Sequence, residues 1–265
     1  MIATTDQLNR KINLTGFSDR IISLVPSLTE LLFSLDLHEE VIGITKFCVH
    51  PESWFHSKKR IGGTKDVKLD VIRSLHPNLI IANKEENNSE QVNTLMKEFP
   101  VWVSDIENLD DALEMIVEVS KITNREKNGG SLIIKIQKEF ELLRIKVNEE
   151  ITCAYLIWEN PYMTIGGDTF ISDIMKMAGF KNIFSERHRY PEISSEELRN
   201  YSPKVILISS EPYPFNENSC NYFRNNFPLS SIFLVDGEMF SWYGSHLLKA
   251  PAYFLDLRKK IKSAL

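Results

Sequence analysis

Two stretches of this chain repeat one pattern at a fixed distance. LDVIRSLHPNLII (Leu69 to Ile81) and SEELRNYSPKVIL (Ser195 to Leu207) each read as a short helix, a polar residue, a proline and an apolar strand. Their prolines, Pro77 and Pro203, stand 126 positions apart. The elements preceding each copy also agree in order. IISLVPSLTELLFSL (Ile21 to Leu35) is a strand, a turn and a helix. Cys153 to Trp158, then a loop, then Asp168 to Gly179 is again a strand, a loop and a helix. The repeat therefore predicts two similar α/β units. In each, strands alternate with helices, and that order gives mostly parallel sheets with helices on their faces.

Between the copies lies NREKNGGSLIIKIQKEFELLRIKVN, Asn124 to Asn148. Leu132, Ile136, Phe140, Leu143 and Val147 recur at the spacing of one face of a helix. Gly129 and Gly130 weaken it, at roughly 1 kcal/mol each, so the helix either spans the whole stretch or begins only at Ser131. The predicted organisation is an N-terminal α/β lobe over residues 1–123, a long connecting helix over 124–148 and a C-terminal α/β lobe over 149–265. The first 19 residues read as a polar lead-in. Ser27-Leu-Thr-Glu30 and Ser194-Ser-Glu-Glu197 read as capping boxes that start helices, and Asp168 as an N-cap.

A length of 265 residues suffices for two cores. Hydrophobic content of 43% and charged content of 25% are those of a globular chain. A net charge of −5, with no basic stripe, argues against nucleic acid as the partner. No apolar run reaches the length of a membrane span. Taken as written, the N-terminus lacks the apolar core of a secretory leader, which reads as cytoplasmic; a periplasmic location follows if a leader has been removed. Cys48, Cys153 and Cys220 are odd in number and widely spaced, so neither a disulfide framework nor a zinc knuckle is expected.

In open α/β sheets, ligands bind beyond the carboxyl ends of the strands. Here those loops carry Phe47, Trp54, Trp158, Tyr162, Tyr213, Phe215, Phe240, Trp242 and Tyr243. If the lobes face each other, the cleft between them has aromatic walls, which suit a large, flat, partly apolar ligand. His50 and His246 are candidates for an axial contact to a metal in such a ligand, and His246 is the better because it follows Trp242-Tyr243-Gly244 closely. Glu85 and Glu211 are also 126 positions apart. Each falls just past a strand end, one per lobe, where a matched pair of acids could dock a symmetric basic partner. Signatures of catalysis are missing: there is no G-x-S-x-G, P-loop or H-E-x-x-H.

The motifs VHPESW, GGTK, ANKEEN, LIWENPYM, IGGDTFISDIMKMAGFKNIF, YPEISSEEL, SSEPYPF and VDGEMFSWYG resemble a known family. It comprises the cobalamin- and iron-siderophore-binding proteins of ABC importers, and the likeness is closest to the cobalamin-binding subgroup of helical-backbone metal receptors. The likeness spans roughly residues 20–262. It implies two α/β lobes joined by one rigid helix, a monomer, no permanently bound cofactor, and no enzymatic activity. It implies a cobalamin-like metal chelate held by Phe47, Trp54, Thr64, Trp158, Tyr190, Tyr213, Trp242 and His246, and docking of Glu85 and Glu211 on arginines of a membrane permease. Where the family's pattern has arginine after W-Y-G-S, this chain has His246.

Two other readings stand beside it. A ferric-siderophore or haem binder would use basic groups, for which Lys46, Lys65, Lys84 and Arg189 qualify by position. A chelatase-like enzyme would need a carboxylate and a histidine together, and Glu159 with His246 is the pairing on offer.

Overall fold

A computed structural model describes residues 2–265. It divides into two compact units. The first comprises 1–105, 110–134 and 243–246; the second comprises 106–109, 135–242 and 247–265.

In the first unit the chain opens with a hairpin, β1 (Ile2–Thr5) and β2 (Lys11–Leu14), paired antiparallel. The expected polar lead-in is thus corrected. The alternation in Lys11–Leu14 buries Ile12 and Leu14, and the Asp6 carboxylate accepts the backbone N–H groups of Leu8 and Arg10 to fix the turn. Then follow β3 (Ile21–Ser23), α1 (Pro26–Ser34), β4 (Val41–Ile44), α2 (Glu52–Ser57), β5 (Lys59–Arg60), α3 (Leu69–Leu75), β6 (Leu79–Asn83), α4 (Ser89–Met96), β7 (Val101–Ser104), α5 (Leu109–Ile122) and α6 (Glu126–Lys146), whose residues from Lys135 onward belong to the second unit. The sheet runs β5-β4-β3-β6-β7, parallel throughout. Strand β6 is buried along its whole length, as a central parallel strand with both faces covered requires. The hairpin is tied to this sheet's edge by Gln7, whose N–H donates to the Val103 carbonyl. An open groove of about 960 Å³ lies beside the hairpin and α5, with Asp6, Asp111, Glu114 and Glu118 on its walls.

The second unit carries β8 (Ile151–Trp158), β9 (Tyr162–Thr164), α7 (Phe170–Met177), β10 (Phe180–Asn182), β11 (Glu192–Ile193), α8 (Ser195–Tyr201), β12 (Val205–Ser209), α9 (Glu217–Asn226), β13 (Ser231–Val235), α10 (Glu238–Ser241) and, after a 3₁₀ turn at Gly244–Leu248, α11 (Ala250–Ala264). Its parallel core runs β10-β8-β12-β13. Strand β9 adds antiparallel to the far end of β8, with β11 outside it.

The 126-residue repeat is physical. Helices α3 and α8, and strands β6 and β12, start and stop 126 positions apart. Both helices end on a left-handed residue, His76 at φ 45° and Ser202 at φ 45°. The strand neighbours agree as well: β4-β3-β6-β7 in one unit matches β10-β8-β12-β13 in the other.

Helix α6 starts at Glu126, so both glycines lie inside it. A Cβ on Gly129 would sit 1.9 Å from Ser120 Oγ of α5, whereas one on Gly130 would meet nothing within 4 Å. Gly129 is therefore kept by the close approach of two helices, and Gly130 is not. Gly129→Ala should destabilise the chain by about 1–3 kcal/mol. Gly130→Ala should stabilise it by up to about 1 kcal/mol. Equilibrium denaturation of both variants checks the contrast; equal effects would refute it.

The proposed start of α1 also needs correction. The helix begins at Pro26 with Val25 as N-cap and no side-chain cap, leaving Ser27 and Glu30 inside it. Ser194, by contrast, does cap α8, accepting from the Glu197 N–H at 3.0 Å. Thr169, not Asp168, caps α7. The Asp168 carboxylate instead accepts the backbone N–H of Arg189 at 2.6 Å.

Candidate functional site

In the second unit, the carboxyl ends of β8 and β12 bring three candidates together. Trp158 ends β8 and remains 38% exposed. Its indole N–H donates to the Asn160 carbonyl at 3.2 Å, and its ring meets Tyr213 edge to face at 5.2 Å. Tyr213 follows β12, and its hydroxyl donates to Glu159 Oε2 at 2.7 Å. That bond to a carboxylate raises the Tyr213 phenol above its ordinary pKa, because losing the proton would set two negative oxygens face to face. Tyr162, on β9, is half-buried, and its hydroxyl donates to Tyr222 at 3.1 Å. Burial first, and Tyr222 second, push its pKa up. Tyr190 is half-buried beside the Arg189 guanidinium, 5.8 Å from its ring centre. Arg189 is itself engaged by Glu107 at 3.0 Å and by the Asp168 carbonyl at 2.8 Å.

Two second-unit candidates are buried. Phe240 is fully buried and packs on Tyr155, Phe254 and Tyr253, with centroids 5.0, 4.8 and 6.3 Å away. Trp242 is 8% exposed, and its indole N–H donates to Glu211 Oε1 at 3.1 Å. The same carboxylate oxygen accepts from the Ser241 hydroxyl at 2.8 Å. A docking contact through Glu211 would have to compete with both bonds.

In the first unit, the loop after β4 presents Phe47, 54% exposed, with the Lys46 ammonium 5.0 Å from its ring. Gly63 lies against this ring, where a Cβ would stand 3.3 Å from Phe47 Cε2. His50 is exposed on the same loop. Thr64 is half-buried, and its carbonyl accepts from the Asn87 amide at 3.0 Å. Lys65 donates to the Glu85 carbonyl, tying two rim segments together. Lys84 pairs with Asp105 at 2.6 Å. The half-buried Glu85 sits at the turn after β6, where its N–H donates to Asn83 Oδ1 at 2.8 Å.

Three first-unit candidates are also internal. Trp54, assigned from the sequence to a strand-end loop, lies instead on α2. That helix turns Trp54 inward, to 3% exposure, edge-on against Phe33 at 5.3 Å and His38 at 6.0 Å. Tyr243 is 5% exposed and donates to Glu86 Oε1 at 2.7 Å. His246 is 4% exposed, with Nδ1 2.7 Å from Glu30 Oε2. A carboxylate only accepts, so Nδ1–H donates. This part-buried pair ties α1 to the 243–246 segment. The proposed partners Glu159 and His246 are thus bonded to Tyr213 and Glu30 respectively. Among the described residues no group of three or more His, Cys, Asp or Glu is placed to hold a metal ion.

His246→Ala should cost about 1–3 kcal/mol, because it removes a buried imidazole together with its bond to the Glu30 carboxylate. It should leave the visible spectrum of added aquocobalamin unchanged. A histidine-dependent shift in that spectrum would restore the axial role.

Sequence reasoning missed Asn87, which organises the first unit's rim. It is buried, accepts the Asn83 N–H at 2.8 Å, and donates to the carbonyls of Leu24 at 3.1 Å and Thr64 at 3.0 Å. Nothing in the polar run NKEENNSE distinguished this asparagine from its neighbours.

Strand-end rims of this kind, on two similar α/β units, are where open α/β folds bind ligands. The family model for periplasmic binding proteins matches residues 21–224, and the chain belongs to that family. The vitamin B12-binding protein of Vibrio campbellii is 26% identical over 217 residues, which is 80% of this chain and 78% of that one. The vitamin B12-binding protein of Vibrio parahaemolyticus is 26% identical over 196 residues, 72% of this chain and 70% of that one. Among solved structures, the periplasmic vitamin B12 binding protein BtuF of Vibrio cholerae superposes with a TM-score of 0.80 at 21% identity, covering 92% of this chain and 98% of the other. The periplasmic heme-binding protein RhuT of Roseiflexus sp. RS-1 superposes with a TM-score of 0.77 at 19% identity, covering 93% and 99%. These two likenesses are of fold. Among the described residues, no helix is long and apolar enough to cross a membrane.

Proposed function

We propose that this chain is a non-enzymatic periplasmic receptor. It captures a corrinoid or a closely related metal chelate and delivers it to an ABC importer. The observation that carries the reading is the aromatic pair of exposed Trp158 and half-buried Tyr213 at adjacent strand ends of the second unit. Phe47 stands exposed at the corresponding kind of strand end in the first. Exposed aromatic faces at strand ends are what a flat macrocycle packs on, at little entropic cost. The vitamin B12-binding relatives supply the ligand class. In this reading the candidate ligand-binding residues are Phe47, His50, Thr64 and Lys65 in the first unit and Trp158, Tyr162, Tyr190 and Tyr213 in the second. The buried candidates are Trp54, Tyr243 and His246 in the first unit and Phe240 and Trp242 in the second. Glu85 and Glu211 remain the proposed docking acids, and the receptor acts as a monomer.

A haem or ferric siderophore is the second reading, favoured by the Lys46 ammonium beside exposed Phe47. Titration of the purified chain with cyanocobalamin, haemin and a ferric hydroxamate, followed by tryptophan fluorescence, separates the two. Saturable quenching by cyanocobalamin at micromolar affinity or tighter supports the corrinoid. Preference for haemin or the siderophore moves the second reading forward, and no response to any of the three removes both.

A further inference from the structure

The rim of the second unit carries one group that ligand stacking does not need. Glu159 lies half-buried between exposed Trp158 and Asn160, at the end of β8. Its Oε2 accepts the Tyr213 hydroxyl at 2.7 Å, and Tyr213 packs edge-on against Trp158. One oxygen of the carboxylate is therefore fixed at the border of the aromatic face. An ionised carboxylate has capacity for about four hydrogen bonds and can only accept. Any molecule lying on Trp158 and Tyr213 brings its periphery to this charge.

We propose that Glu159 makes this aromatic rim selective for flat ligands whose periphery carries amide N–H donors, over ligands whose periphery carries carboxylates. The inference rests on the corrinoid reading above, and names the chemistry that reading leaves open. An amide NH₂ meeting Glu159 gains a hydrogen bond to a charged acceptor, stronger than one between neutral groups. A carboxylate in the same place meets a like charge. Such juxtapositions act mainly on the choice of partner. Tyr213 is the positioning residue: its hydroxyl holds the Glu159 side chain against the ring edge.

The test compares cyanocobalamin with its separated peripheral monocarboxylates, each having one side-chain amide hydrolysed, by fluorescence titration of the full chain. The unmodified chain should bind cyanocobalamin about tenfold more tightly than at least one of these acids. Added salt should narrow the gap, since a partly exposed charge is screened. Glu159→Gln should bring that ratio to within about twofold of unity. Glu159→Lys should invert it, and a gain of affinity for an acid cannot arise from misfolding. If the unmodified chain binds cyanocobalamin but both variants keep its ratio, the selectivity role fails and the corrinoid reading stands. If it binds neither ligand, the reading fails and the selectivity role falls with it.

Discussion

Phe240→Ala is expected to lower the stability of the chain by about 3–5 kcal/mol. The ring is fully buried among Tyr155, Tyr253 and Phe254 of its own unit, so its removal opens a cavity lined by rings that cannot collapse freely. Beneath it, Tyr155 is tied by its hydroxyl to Ser209 at 3.0 Å, at the end of β12. Loss of Phe240 should therefore loosen the strand end that carries Glu211 and Tyr213. Urea denaturation should show a lower midpoint at nearly unchanged slope. A variant as stable as the parent, with ligand affinity lost, would mean that Phe240 touches the ligand directly.

The opposite signature is expected at the rim. Replacing Trp158 and Tyr213 together by alanine should weaken cyanocobalamin binding by about thirtyfold or more. An aromatic anchor at the centre of a binding site can contribute about 2 kcal/mol, roughly thirtyfold in affinity, and neighbouring anchors do not add. Stability should change less than in Phe240→Ala, since Trp158 is 38% exposed and Tyr213, in the loop after β12, is only half-buried. Isothermal titration with a parallel thermal melt reads both quantities. Affinity within threefold of the parent would take these two rings out of the binding site.

The contrast between these variants marks where the sequence was legible. Strand ends could be located from apolar runs and the 126-residue repeat, so Phe47, Trp158 and Tyr213 could be assigned to rims. The matching left-handed ends at His76 and Ser202 show that the repeat reaches down to single backbone angles. Direction of the side chains was another matter. Trp54 and Phe240 sit on helices of six and four residues, too short to display a 3.6-residue period, and both turn inward. The S-x-x-E pattern at Ser27 looked like a helix start, but Pro26 already opens α1. Its Glu30 serves His246, more than two hundred positions away, a pairing that no local pattern encodes. The hairpin at residues 2–14 was hidden for a similar reason: each strand has four residues, and its anchors lie on β7 and α5.

A structure of the full chain grown with cyanocobalamin tests the central claim most directly. Expected is one corrinoid per chain, with its ring system or side chains in van der Waals contact with Trp158 and Tyr213, and His246 still bonded to Glu30. A corrinoid seated instead in the acidic groove beside the N-terminal hairpin, or none bound at saturating concentration, would contradict it.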